Sequence, residues 1–124
     1  MDWNGFARRW CEDWNAHDLD RVLDHFDDTV VFTSPFAARL LPDTGGRIAG
    51  KAALRAYWEE GLRRIPDLHF TVEHVFGGVD TLVIQYRNQT GARVSEVLQF
   101  QSGKVIAGHG TYEAGADNPT GARG

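Results

Sequence analysis

The sequence predicts an α+β fold, with helices in its first half and one curved, mostly antiparallel sheet wrapped around them in its second. Three observations carry this reading. Apolar residues recur at helical spacing as far as Ile65, they alternate at strand spacing from Leu68 to Tyr112, and glycine-containing turns separate the alternating runs.

Trp3, Phe6, Trp10 and Trp14, widened by Ala7 and Cys11, give the first helix one apolar face. Asn15-Ala16-His17 interrupts it. Asp18 has the chemistry of an N-cap, its carboxylate accepting from the free N–H groups of the next turn. Leu19, Val22, Leu23 and Phe26 then predict a short second helix, which Asp27-Asp28 ends. TVVFTSP (29–35) is β-branched and aromatic and stops at Pro35, which has no N–H for a ladder, so it reads as a strand. Residues 36–50 carry Pro42, Gly45, Gly46 and Gly50 and read as a loop. Leu54, Tyr57, Trp58, Leu62 and Ile65 define a third helix that Pro66 stops. Gly61 weakens it by about 1 kcal/mol relative to Ala. In LHFTVEHVF (68–76), Leu68, Phe70, Val72, His74 and Phe76 share one face of a strand. TLVIQYRN (81–88), RVSEVLQF (93–100) and KVIAGHGTYE (104–113) complete the meander.

A chain of 124 residues with 42% hydrophobic and 24% charged residues is long enough for one domain with a sizeable core. We place that domain at 1–115, with 116–124, which has no apolar side chain larger than Ala, as a flexible tail. Seventeen acidic against 13 basic residues leave a net charge of −4, without a basic stripe. That balance disfavours nucleic acid and anionic membranes as partners. No apolar run is long enough to span a membrane. The single cysteine, Cys11, excludes an internal disulfide, and the N-terminus lacks the features of a signal peptide, so the expected compartment is the cytoplasm.

GGRIAGKA (45–52) has the glycine and lysine spacing of a phosphate-binding loop, with Ala52 where the motif needs a hydroxyl for magnesium. RLLPDT precedes it, and Pro42 does not fit a buried strand leading into such a loop. We read it instead as a flexible edge between the first strand and the third helix, near a pocket mouth that it gates.

The order helix, helix, strand, loop, helix and four antiparallel strands resembles the nuclear transport factor 2-like superfamily. WNAHDLDRVLDHFDDTVVFTSP resembles its opening module, GKAALRAYW its third helix, and VLQF with SGKVIAG its last hairpin. The resemblance covers about residues 3–113 and is strongest to the SnoaL-like branch, which includes polyketide cyclases and relatives of the ketosteroid isomerases. It implies a cone-shaped roll around an apolar pocket, pairing of two subunits through the outer sheet face, and chemistry without a cofactor where there is chemistry at all. It does not supply the known catalytic sets. The isomerase base falls on Ser34, the Tyr on Trp10 and the second Asp on Leu98. The positions that epoxide hydrolases of this fold use fall on Glu96, Leu98 and Gly110.

Glu96 shares a strand face with Leu98 and Phe100. An inward carboxyl in an apolar pocket has its pKa raised by desolvation, which suits a general acid or base near neutral pH. Alternatively, it is a structural carboxyl satisfied by a Tyr, an Arg or water. The other expected pocket residues are Trp10, Trp14, Phe32, Ser34, Tyr57, Tyr86, Leu98, Phe100, Gly108, Gly110 and Tyr112, with the two glycines leaving room for a ligand. A two-residue turn at Ser102-Gly103 sets Glu96 opposite His109, whereas a three-residue loop sets it opposite Gly108. The resemblance favours Gly108, Gly110 and Tyr112 inward and His109 outward. The five histidines show no ligand spacing, so no metal is expected. Two functions stay open: a cofactor-free isomerase, cyclase or dehydratase acting on a small apolar or aromatic molecule, or a non-enzymatic ligand-binding or dimerisation module.

Overall fold

The computed structural model describes residues 1–115, so the predicted tail at 116–124 lies outside the described residues. The helices are α1 (Trp3–Asn15), α2 (Leu19–Asp24), α3 (Pro35–Leu40) and α4 (Lys51–Arg64). The strands are β1 (Phe26–Thr33), β2 (Arg47–Ala49), β3 (Thr71–Gly77), β4 (Thr81–Arg87), β5 (Arg93–Gln101) and β6 (Lys104–Tyr112). They form one mixed sheet in the order β2-β1-β6-β5-β4-β3, in which only the β1–β6 pair is parallel. This is the predicted α+β architecture, with the helices packed against the sheet and an apolar core between them.

The caps follow from side-chain chemistry. Asp2 accepts from the Gly5 N–H at the start of α1, and Asp18 accepts from the Arg21 N–H at the start of α2, as its sequence position predicts. Phe26, expected in the second helix, instead opens β1. Its backbone is extended beside Val105, whose N–H donates to the His25 carbonyl, and the Asp27 and Asp28 pair lies in the strand.

The region read as a loop holds more structure than expected. Ser34 accepts from the Phe36 N–H at 3.1 Å, and Pro35 sits at the first helical position, where its fixed φ is an advantage. Pro35 therefore ends the strand and also begins α3. Arg47–Ala49 then pairs antiparallel with β1 as an edge strand. GGRIAGKA is therefore a turn, an edge strand and a helix start, rather than a flexible edge. Gly45 (φ 64°) caps the short 3-10 turn at Pro42–Thr44, and Gly50 (φ 91°) precedes α4 in a conformation that favours glycine.

Two one-residue irregularities decide which side chains face inward. In β3 the register shifts between Val72 and His74, so the predicted alternation fails. Val75 packs against the core, His74 is exposed and Phe76 is 57% exposed. In the last hairpin Ser102 (φ 52°) and Gly103 (φ 80°) make a two-residue turn with Gln101 opposite Lys104. Ile106 then bulges: Phe100 pairs with Val105, but Gln99 pairs with Ala107. Glu96 ends opposite Gly110, a pairing neither simple turn predicts. The facing is the one the resemblance favoured, with Gly108 and Gly110 buried. The Thr33 hydroxyl, two residues beyond Val31 on β1, holds His109 Nδ1 at 2.6 Å.

Candidate functional site

A cavity of about 80 Å³ lies between α1, α4 and the inner face of the sheet. Each element delivers its part by its own periodicity. Trp10 and Trp14 are a turn apart on α1, and Tyr57, Trp58, Gly61 and Leu62 lie on one face of α4. Tyr86 comes from β4, Val94 and Glu96 from alternate positions of β5, and Gly110 and Tyr112 from alternate positions of β6. Phe32 and Ser34 come from the end of β1, and Phe36 from the first turn of α3.

The stretch that broke the first helix closes one wall. The Asn15 side chain bonds both backbone groups of Phe70, receiving its N–H at 2.8 Å and donating to its carbonyl at 2.9 Å. His17 Nε2 lies 2.8 Å from the Leu68 carbonyl. These contacts hold Leu68 and Phe70 against the cavity before β3 begins.

Among the described residues, no Lys, Arg or His lines this cavity. Its polar groups are hydroxyls, the half-buried amides of Asn88 and Gln89, and one carboxyl. Glu96 is 6% exposed and accepts from the Tyr86 hydroxyl at 3.1 Å. Burial pushes its pKa up to about 7, and the Tyr86 hydrogen bond only partly opposes that. Burial also raises the phenols of Tyr57, Tyr86 and Tyr112, the last to about 12, so all three are neutral donors at neutral pH. Across from Glu96, Ser34 Oγ lies 3.3 Å from the Tyr112 hydroxyl and also contacts Tyr57.

Of the residues singled out in the sequence, Glu96, Trp10, Trp14, Phe32, Ser34, Tyr57, Tyr86, Gly110 and Tyr112 meet at this cavity. Leu98, Phe100 and Gly108 do not. They share the inward face but lie further along the strands, where the core is closed. Phe100 packs edge-on against Trp3 and Phe6. A Cβ on Gly108 would come within 2.8 Å of the Phe32 ring, so that ring has the space assigned to a ligand.

The sequence reading missed Phe36, because it lay in a supposed loop, and the part played by Gly61. A Cβ on Gly61 would meet Phe36 at 3.4 Å, so the glycine that weakens the helix seats that ring. Trp10 holds the only buried side-chain polar atom without a partner among the described residues, its indole Nε1. Cys11 bonds to the Phe70 carbonyl and its thiol pKa is raised mainly by burial, the opposite of an activated nucleophile. Among the described residues no group of His, Cys, Asp and Glu is placed to hold a metal ion, and no helix is long and apolar enough to cross a membrane.

A helix-covered mixed sheet with an aromatic cavity between its layers defines a class: the α+β cones of the nuclear transport factor 2-like superfamily. Within it, residues 7–119 match the SnoaL-like domain, and the chain belongs to that family. A SnoaL-like protein of unknown function from Burkholderia thailandensis is 38% identical, with a TM-score of 0.85 over 90% of this chain and 93% of that one. Two more distant structures share the fold. One is an NTF2-like protein of unknown function from Burkholderia pseudomallei (17% identity, TM-score 0.74, 91% and 92% covered). The other is TerC co-crystallised with polyporic acid (13% identity, TM-score 0.73, 89% and 91% covered). No curated protein matches the chain in sequence.

Proposed function

We propose that the cavity binds a small, neutral, mainly apolar or aromatic carbonyl-type molecule and that Glu96 moves a proton on it. The reaction class is isomerisation, cyclisation or dehydration without a cofactor. The observation that carries this is Glu96 itself: a buried carboxyl with a pKa near 7, bonded to a tyrosine and facing an aromatic cavity. Such a group takes up and returns protons at neutral pH. Among the described residues no cation lines the cavity, which disfavours carboxylates and phosphates as ligands. Size sharpens the choice. The cavity is about half the volume of an engineered apolar cavity, about 150 Å³, that takes up benzene. A ligand much larger than a small ring needs the walls to move.

The test is a thermal-shift screen of small neutral ketones and aromatic carbonyls, followed by turnover measurements on the ones that stabilise the chain. Ligands of the cavity raise Tm with concentration. Glu96→Gln abolishes turnover while leaving the far-ultraviolet spectrum unchanged. Full activity in that variant would refute the assignment.

The second reading, a binding or dimerisation module, draws on the same Glu96–Tyr86 bond, which also satisfies a structural carboxyl. In either case we propose a homodimer through the outer sheet face, where Val83 pairs with Val97 and Val31 with Ala107. Light scattering on wild type and Val97→Lys tests it: the dimer mass is lost in the variant.

A further inference from the structure

The edge strand and helix start that GGRIAGKA forms flank a groove outside the cone. It measures about 320 Å³ and is lined by β2, one flank of α4, and Leu41 and Thr44. Sites for small molecules span about 300–1,000 Å³, so this groove reaches the range and the 80 Å³ cavity does not. Its walls are apolar because of spacing. Ala53, Ala56 and Tyr57 fall on one face of α4, and the two alanines are exposed but too short to fill the space beside β2. Leu41, Ile48 and Ala49 supply the rest, and Leu41 is 38% exposed.

The polar side chains of the rim differ in what they have left to offer. The Thr44 hydroxyl donates to the Leu41 carbonyl at 2.7 Å and accepts from the Gly46 N–H at 3.0 Å. Both carboxylate oxygens of Glu60 accept from arginines in the last turn of α4, one from Arg63 and the other from Arg63 and Arg64. Arg47 is exposed and, among the described residues, has no ion pair and no side-chain hydrogen bond. The groove is therefore an apolar trough with one unmet positive charge.

We propose that this groove binds a medium-chain carboxylate, an unbranched apolar chain with a single negative head. The chain lies along Ala53 and Ala56, and the head takes the Arg47 guanidinium, whose fork of N–H donors matches a carboxylate with two parallel bonds. A single guanidinium in a groove that also holds the Glu60 carboxylate suits one negative charge better than the two of a phosphate. The Tyr57 ring is a wall of both the groove and the cavity, so the acid sits outside the cone. The site is independent of any chemistry at Glu96.

The probe is sodium octanoate, titrated calorimetrically into the full chain at low and high salt, with octan-1-ol and sodium butyrate for comparison. Wild type is set against Arg47→Gln, Ala56→Leu and Glu96→Gln, each checked by thermal melt. Arg47 and Ala56 are exposed, so the fold stands in both variants. The expected result is one octanoate per chain, with octan-1-ol about fivefold weaker. Arg47→Gln weakens octanoate about fivefold and removes its salt dependence. Each methylene lost towards butyrate weakens binding by up to about fourfold. Ala56→Leu fills the trough and abolishes binding, whereas Glu96→Gln binds as wild type does. Octan-1-ol binding as tightly as octanoate overturns the charged head. Loss of binding in Glu96→Gln, or unchanged binding in both groove variants, places the acid elsewhere and overturns the site. So does an octanoate titration of wild type without binding heat.

Discussion

Gly108 and Gly110 stand two residues apart on the same face of β6, yet their bare backbones serve opposite ends. At Gly108 the Phe32 ring fills the space, with Leu98 Cδ2 at 3.2 Å from where a Cβ would be. At Gly110 the neighbour from the end of β1 is Ser34, too small to fill it. One end of the sheet is closed by Phe26, Phe32, Leu98 and Phe100, and the other opens into the cavity. A glycine in a strand announces that something approaches closely. Whether that is a neighbouring ring or a ligand depends on the residue facing it.

The largest effect expected from this contrast is on stability. Gly108→Val forces the Phe32 ring out of its place and costs about 3 kcal/mol. Gly110→Ala costs less than about 1 kcal/mol. Urea titrations of the two variants make the comparison, and equal losses would mean both sites are packed alike.

Glu96 provides a second contrast between the polar end and the closed end, of similar size but dependent on pH. Its pKa is higher in the folded chain, about 7, than in the unfolded one. The folded state therefore holds the proton more tightly. The contribution of Glu96 to stability is fully present below the unfolded value and declines as pH rises towards 7. The loss is on the order of 3 kcal/mol relative to Glu96→Gln. Denaturant melts of both proteins from pH 4 to pH 8 measure it (about the range set by the unfolded and folded values). A pH-independent difference would show that the carboxyl is not desolvated.

Smaller still is the effect of releasing the cavity wall. Asn15→Ala leaves the Phe70 N–H without its partner and its carbonyl with only the Cys11 thiol, and costs about 2 kcal/mol, with faster amide exchange confined to residues near 70. The smallest expected effect is none: ATP with magnesium leaves Tm unchanged, because Arg47–Ala49 is committed to the sheet and is not a cradle for phosphate.

Periodicity made most of this legible. The faces of α1, α4 and β5 followed from spacing alone, and Glu96 was placed inward for that reason. Alternation says which face a residue occupies but not how far along the strand the cavity reaches. That is why Leu98, Phe100 and Gly108 were grouped with it. Phe36 escaped because its helix is short and depends on one cap, Ser34, beside a proline that signals a stop as readily as a start. The irregularities at Val72–His74 and at Ile106 were invisible because one inserted residue leaves the composition of the strand unchanged.

Ile106 has a reach beyond its own position. Were Ile106 paired in register instead of bulged, the two-residue turn would carry its register to the end of β6 and present Ala107, His109 and Thr111 to the interior in place of two glycines and a tyrosine. Pairing or bulging at that single position decides the whole wall. Among chains of this architecture, the position of the bulge after the hairpin is therefore a quicker guide to interior chemistry than matching residues one by one.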